Sequence, residues 1–445
     1  MAGRIRALIF LFQTAFEQLH CQIPPLEIEA LAVLIHRGMT AKGRRFHTSE
    51  HILGLADPDH PEVTLAALFH DLVYYQVDLG VAPSIRALLA PYVEERAQRL
   101  WLKPQHESTD DRFVAMVLEL FGFTYGQELH PRQGMNEFLS ALAMGLRLKA
   151  YLPCETLLAI ATCIEATIPF RPHEHFEELT QRLQAIVTRY QLQLSPANLE
   201  AIVTRSVIFA NHDVENFAVP DPRAFLENTW KLLPEEHNAL RAGGIYTIKE
   251  YRRALQATAE FFQTLDITRV FHRYRGVPPL EQWEQMTSIA QANVQIAQSY
   301  LEIKLLTISI LEALADATGG DMPLALVMGD LEDEAHSLMQ LIEFPDLQFQ
   351  TLSSEQRLML LKLLGNGLKS ADGFDLQNSP LSLFIYQVLG PEATHTLSLQ
   401  VWRYFRGELQ ATDFLEHIPR AILSPIARAC AIMIPTRREA CLRFT

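Results

Sequence analysis

The chain is poor in the features that most readily mark a class. It holds five cysteines in 445 residues: Cys21, Cys154, Cys163, Cys430 and Cys441. They are odd in number, far apart and never in a CxxC pair, which fits the reduced thiols of a cytoplasmic protein rather than a disulfide framework. No stretch approaches the roughly 18 apolar residues of a membrane span, so no membrane partner is expected. Positive charge is scarce too: 38 Lys and Arg against 52 Asp and Glu give a net charge of −14. Bulk nucleic acid is thereby excluded as a partner, because it needs a basic face. Fixed-period repeats, low-complexity tracts and strand-like alternation are absent or rare.

What is present is a large apolar fraction, 49% hydrophobic with 20% charged, enough for a sizeable core in two or three domains or one large helical body. Apolar residues recur at spacings of three and four, as in Ile28, Leu31, Ala32 and Ile35, or Val203, Val207, Ala210 and Val214. That period is helical, and prolines and glycines stand between the helical stretches, so the fold class is all-α. The opening MAGRIRALIFLFQTAFEQLH reads as the first helix rather than a signal sequence, because its apolar run is short and no small-residue cleavage site follows. Breaks are expected near residues 218 to 245, where AVPDP and RAGG stand, and near 316 to 322, DATGGDM. We therefore divide the chain into a chemistry-bearing helical domain, 1–235, and a helical C-terminal region, 236–445. From residue 323 onward nothing suggests chemistry; the acidic run GDLEDEAH reads as a helix start without the ligand ladder of a calcium loop.

Three segments before residue 230 carry the interest. In RRFHTSEH, residues 44–51, His47 and His51 stand four apart, as on one helical face. In AALFHDLVYY, His70 and Asp71 end an apolar helical run, where a charge needs a partner: a metal, or a hydrogen bond to another helix. In IVTRSVIFANHDVENFAVPDP, Ser206, Ala210, Asp213 and Phe217 share one stripe, so Asp213 falls on a small-residue inward face, unless it caps the turn that follows. His212 lies one position off that stripe and reads as surface.

In this order the H…HD…D set resembles the HD-domain metal-dependent phosphohydrolase superfamily, and most closely its branch with motifs like YHTxxH and FHDxVY. The counterparts here are FHTSEH (46–51) and FHDLVY (69–74), with NHDVENF (211–217) as the helix that closes the site. The resemblance covers about residues 25–235. It implies an HD-like helical bundle with additional C-terminal helices, with His51, His70, Asp71 and Asp213 as metal ligands. It implies that His47 protonates the leaving group, or else orients a ligand. Arg44 and Arg45 would meet substrate phosphate, onto which a guanidinium forks. Two histidines with two carboxylates suit Mn, Fe, Ni or Zn; Asp71 would bridge to a second ion, Mg or Mn completed by water. The implied reaction is hydrolysis of a phosphate ester, such as a nucleotide, by metal-activated water. A small phosphorylated substrate is then the expected partner, and a homodimer through the C-terminal helices is compatible with the sequence.

The chain departs from the pattern in CIEATIPFRPHEHF, residues 163–176. Relatives often carry a further histidine after the Thr of this helix. Here Thr167 is followed by Pro169 and Phe170; His173 and His175 read as loop histidines, with substitution for the missing group as the lesser alternative, and Glu165 as a group near a metal water or an ordinary helix residue. Asn136 and Glu137 read as a helix cap in front of the core residues Phe138, Leu139, Ala141 and Leu142, with a reach into the site as the lesser alternative. His272, Arg273 and Arg275 read as a solvated basic turn. Two other readings stay open: a catalytically weak or inactive HD-fold module that holds a metal or nucleotide and a protein partner, and a plain helical scaffold without metal.

Overall fold

The structure is a computed structural model that describes residues 2–108, 110–241, 245–328, 338–342, 355–371, 375 and 379–445. The acidic run at 329–336 lies outside the described residues. Helix takes up 71% of the described residues and strand 3%, so the fold is all-α. The chain divides into two compact units, Met1–Ala218 with Asp266–Ile289, and Val219–Leu265 with Ala290–Thr445. This differs from a single cut after residue 235. The break falls inside AVPDP, and the chain later returns to the first unit, an excursion that local punctuation does not reveal. The DATGGDM stretch is a helix end: the 39-residue helix Leu280–Thr318 stops there, Gly319 and Gly320 take φ of +149° and +98°, and Arg437 Nη1 bonds the Ala315 and Gly320 carbonyls at 3.1 and 2.6 Å.

The first unit runs α1 (Ala2–Gln18), α2 (Pro25–Met39), α3 (Ser49–Gly54), α4 (Pro61–Phe69), α5 (Tyr75–Asp78) and α6 (Pro83–Leu89). A small antiparallel sheet interrupts it, β1 (Val93–Arg96), β2 (Arg99–Leu102) and β3 (Glu128–Leu129), with α7 (Arg112–Phe121) between β2 and β3. Then come α8 (Met135–Leu148), α9 (Cys154–Ala166), α10 (His175–Arg189) and α11 (Pro196–Asp213). Helix α9 is the hub. Every residue from Leu157 to Ala166 is buried, as expected of a helix apolar all round, and α4, α7, α8 and α11 pack on it. α1 buries Leu8, Phe12, Ala15 and Phe16 in the same core.

Local chemistry starts and stops these helices. Asp111 caps α7 by accepting from the Phe113 and Val114 N–H groups at 2.9 and 3.3 Å, and Gly122 closes it in the left-handed conformation at φ +73°. Ser195 and Asn198 form a capping box on α11, with Pro196 in its first turn. The seam between α9 and α11 is tight: the Ser206 hydroxyl donates to the Ile202 carbonyl at 2.9 Å and its oxygen lies 3.4 Å from Cys163 Sγ. Gly145 of α8 lies flush against Phe113 of α7; a Cβ there would sit 1.9 Å from the ring.

The second unit has helices and no named strand among its described residues. Its core holds a polar hub. Asp375 accepts from Trp230 Nε1 at 3.0 Å and from the Tyr251 hydroxyl at 2.6 Å, with Lys304 Nζ 3.5 Å away. Lys304 also donates to Ser379 Oγ at 3.1 Å.

Candidate metal centre

Three helix ends and one turn converge in the first unit. His51 is on α3; His70 is the residue that ends α4; Asp71 is one residue further; Asp213 is the last residue of α11. Two expectations are corrected. His47 does not share a helix with His51, because α3 begins at Ser49 and His47 lies in the bend before it. Asp71 lies in a turn past the end of α4 rather than within it, because the helix gives way at His70.

The segment after α4 is clamped from α8 and from the loop between α2 and α3. The Val73 N–H donates to Ser140 Oγ at 3.0 Å and the Tyr75 N–H to Asn136 Oδ1 at 3.1 Å. Arg44 Nη1 donates to the Asp71 carbonyl at 2.7 Å, while its Nε and Nη2 fork onto Asp78 at 2.9 and 2.7 Å. The Arg44 side chain has no exposure. The resemblance implied that Arg44 meets substrate phosphate, but here its fork is engaged inward, where it positions Asp71. Arg45 is exposed.

The four side chains form a ring in which carboxylate oxygen and imidazole nitrogen alternate. His51 Nε2 lies 3.0 Å from Asp213 Oδ1 and 3.5 Å from Asp71 Oδ2. His70 Nε2 lies 3.1 Å from Asp71 Oδ2 and 3.3 Å from Asp213 Oδ1. The ligand atoms of His51, His70 and Asp71 all fall within 4.8 Å of one another, the only such metal-capable group among the described residues. His70 is buried, whereas His51, Asp71 and Asp213 keep 13%, 18% and 16% exposure, so the ring opens to solvent on one side.

Two observations test whether these residues fit a metal. The His70 Nδ1–H faces the Ala67 carbonyl at 2.9 Å, which leaves Nε2 with its lone pair in the ring, the arrangement that orients metal-binding histidines. His70 Nε2 and Asp71 Oδ2 are also buried without a hydrogen bond, although they touch. Ligands held at about 2.1 Å around one ion lie about 3.0 to 3.4 Å apart, by octahedral or tetrahedral geometry. The ring's edges fall at that spacing, so the donor set fits.

The charges agree with a cation-seeking site. Burial alone would favour neutral carboxyls, yet His70, His47 and His51 hold Asp71 well below the usual range. His70 and His51 do the same for Asp213. Burial works against a charged His70, but the two carboxylates outweigh it and push the imidazole well up. The ring thus binds one unit of positive charge strongly, as a proton on His70 or as a metal ion. His47 stands beside it, edge-on to Tyr74 with centroids 4.7 Å apart and to His51 at 5.9 Å.

Glu137 belongs to the site, a place that sequence order ranked second to a helix cap. It lies in the first turn of α8, with Gly134 as the N-cap. Its Oε2 is buried without a hydrogen bond, and burial, with Asp71 and Asp213 nearby, pushes its carboxyl up to about 7. The one signal for it was the neighbouring Asn136, whose amide ties α8 to the segment after Asp71.

Other expectations resolve differently. Glu165 is fully buried and meets His175 Nε2 at 3.0 Å and Arg182 Nη2 at 3.2 Å. His175 is thus a buried first residue of α10 rather than a loop histidine, whereas His173 is exposed. His272 is buried, its backbone paired with the Asn211 amide at 2.8 Å in both directions. Only Arg273 and Arg275 form the solvated turn. His212 pairs with Glu215 at 3.5 Å and stays out of the ring. A cavity of about 250 Å³ near Leu72, Asp78 and Arg86 includes none of the four ring residues. No helix of the described residues is long and apolar enough to cross a membrane, and the five cysteines are free. Comparison of the chain with family models, with curated proteins and with solved structures finds no match.

Proposed function

We propose that the chain is a metal-dependent phosphohydrolase of the HD type, holding one divalent transition ion, Mn, Fe, Ni or Zn, on His51, His70, Asp71 and Asp213. One observation carries this reading: two histidines and two aspartates from three separate segments meet at ligand spacing around a lone pair that nothing else uses. When bound, the ion would supply Lewis acidity for attack of water on a phosphate ester. The chain's own groups supply the rest. His47 lies against His51 and Tyr74 beside the ring and would give a proton to a leaving oxygen. Glu137 is a buried carboxyl able to exchange a proton near neutral pH. The substrate class is a small phosphate ester, with a nucleotide as its natural example.

A second reading, binding without turnover, draws on one observation. After α9 the Thr167 hydroxyl is engaged by the Ile164 carbonyl at 2.8 Å, and Phe170 packs edge-on to Phe217, so no further imidazole joins the ring there. This also argues against a second Mg or Mn.

Elemental analysis of protein purified without chelator, beside an Asp71→Ala variant, tests the reading. The expected result is about one transition ion per wild-type chain and none in the variant. Absence of any ion from both, after incubation with each metal, would leave His70 protonated and the hydrolase reading without support. Metal without turnover on a panel of phosphate esters would favour the binding module.

A further inference from the structure

With Arg44 engaged inward, the cation that meets a substrate phosphate must come from elsewhere, and Arg171 has the right surroundings. It follows Phe170, a non-glycine residue in the left-handed region at φ +57°, a strained turn of the kind that persists where a side chain must be aimed. Its Nε is buried and makes no hydrogen bond. Its Nη2 lies 3.9 Å from Glu165 Oε1, beyond hydrogen-bond length. Glu165 does not need it, since His175 and Arg182 already satisfy that carboxylate. Two guanidinium groups against one carboxylate leave one positive charge over.

Glu137 locates that charge. Its carboxyl feels Asp71 and Asp213 as neighbouring negative charges and Arg171 as a neighbouring positive one, and Phe170 contacts Phe217, one turn past Asp213. The packing agrees: Ile168, three residues before Arg171, lies against Gly134, the N-cap of the helix that carries Glu137, so the Arg171 segment sits between the start of α8 and the end of α11. The unused buried N–H of Arg171 is a donor without an acceptor, which is costly to keep unless an acceptor arrives from solution.

We propose that Arg171 is the oxyanion-binding group of this site, forking onto the phosphoryl oxygens of a phosphate monoester while the ring holds the metal. The inference rests on the metal-centre reading. It also explains how a ring with two aspartates, neutral once loaded, attracts a dianion: the fixed guanidinium supplies the charge that a second ion would otherwise bring.

The test is calorimetric titration of inorganic phosphate into the metal-loaded full chain, with metal content measured in the same samples. Wild type is expected to bind phosphate. Arg171→Gln is expected to keep wild-type metal content and to weaken phosphate at least tenfold; Arg171→Lys, with the charge but without the fork, should fall between. Wild-type phosphate affinity in Arg171→Gln overturns the proposal, as does a loss carried by Arg45→Gln instead, a loss of metal in Arg171→Gln, or a metal-loaded wild type that ignores phosphate. A wild type that takes up no metal is a separate failure: it removes the metal-centre reading and this inference with it.

Discussion

His272 shows what burial does to a single titratable group. Desolvation, with His175 and His173 as like charges nearby, lowers its pKa from 6.5 to about 4. Between those values the unfolded chain carries a proton at this position and the native chain does not. Stability contributed by the neutral imidazole is therefore complete above pH 6.5, is lost as pH falls towards 4, and changes no further below that. Urea titrations across this window should show about one proton more taken up on unfolding in wild type than in His272→Gln. Equal slopes would mean that His272 titrates normally in the fold. The same scale shows what a sequence can and cannot disclose. His51, His70, Asp71 and Asp213 were legible because each sits in a short motif with apolar company. Arg44 and Arg45 are adjacent and chemically identical, so nothing local says which one turns inward onto Asp78 and the Asp71 carbonyl. Glu137 stands 66 positions from Asp71 (137 against 71 in the chain), and only the packing of α8 against the segment after α4 brings it to the ring.

Helices are where the period of the sequence speaks most directly, and the all-α class follows from it. Their ends are less legible, because a cap depends on tertiary partners as much as on residue type: α3 starts after His47 and α4 stops before Asp71. The three short strands carry too few residues for a period to register. Gly145 gives a test of packing against propensity. In an exposed helix, Gly→Ala would stabilise by about 0.5 to 1 kcal/mol. Here the added methyl meets the Phe113 ring, so Gly145→Ala should instead destabilise by about 1 to 3 kcal/mol through overpacking. Denaturant unfolding reads the sign, and a stabilised variant would mean that α7 and α8 part more easily than their contact implies.

The chain divides into two compact units, a division that composition does not announce because both are built mainly of helices. Two units predict that equilibrium unfolding is not two-state. A ligand that binds only the folded first unit should shift only its transition, by about 2.7 kcal/mol at a hundredfold excess over Kd. Calorimetry with and without added divalent metal checks this; an equal shift of both transitions would show that the units melt together.

The seam between α9 and α11 has one more consequence. Cys163 is buried there against Ser206, and burial raises its thiol to about 11, so in the closed fold it is almost never a thiolate and cannot meet a reagent. Alkylation of Cys163 thus counts openings of the wall that carries Asp213. The chain contains its own stopwatch for the motions of that wall, readable from the mass of the alkylated Cys163 peptide.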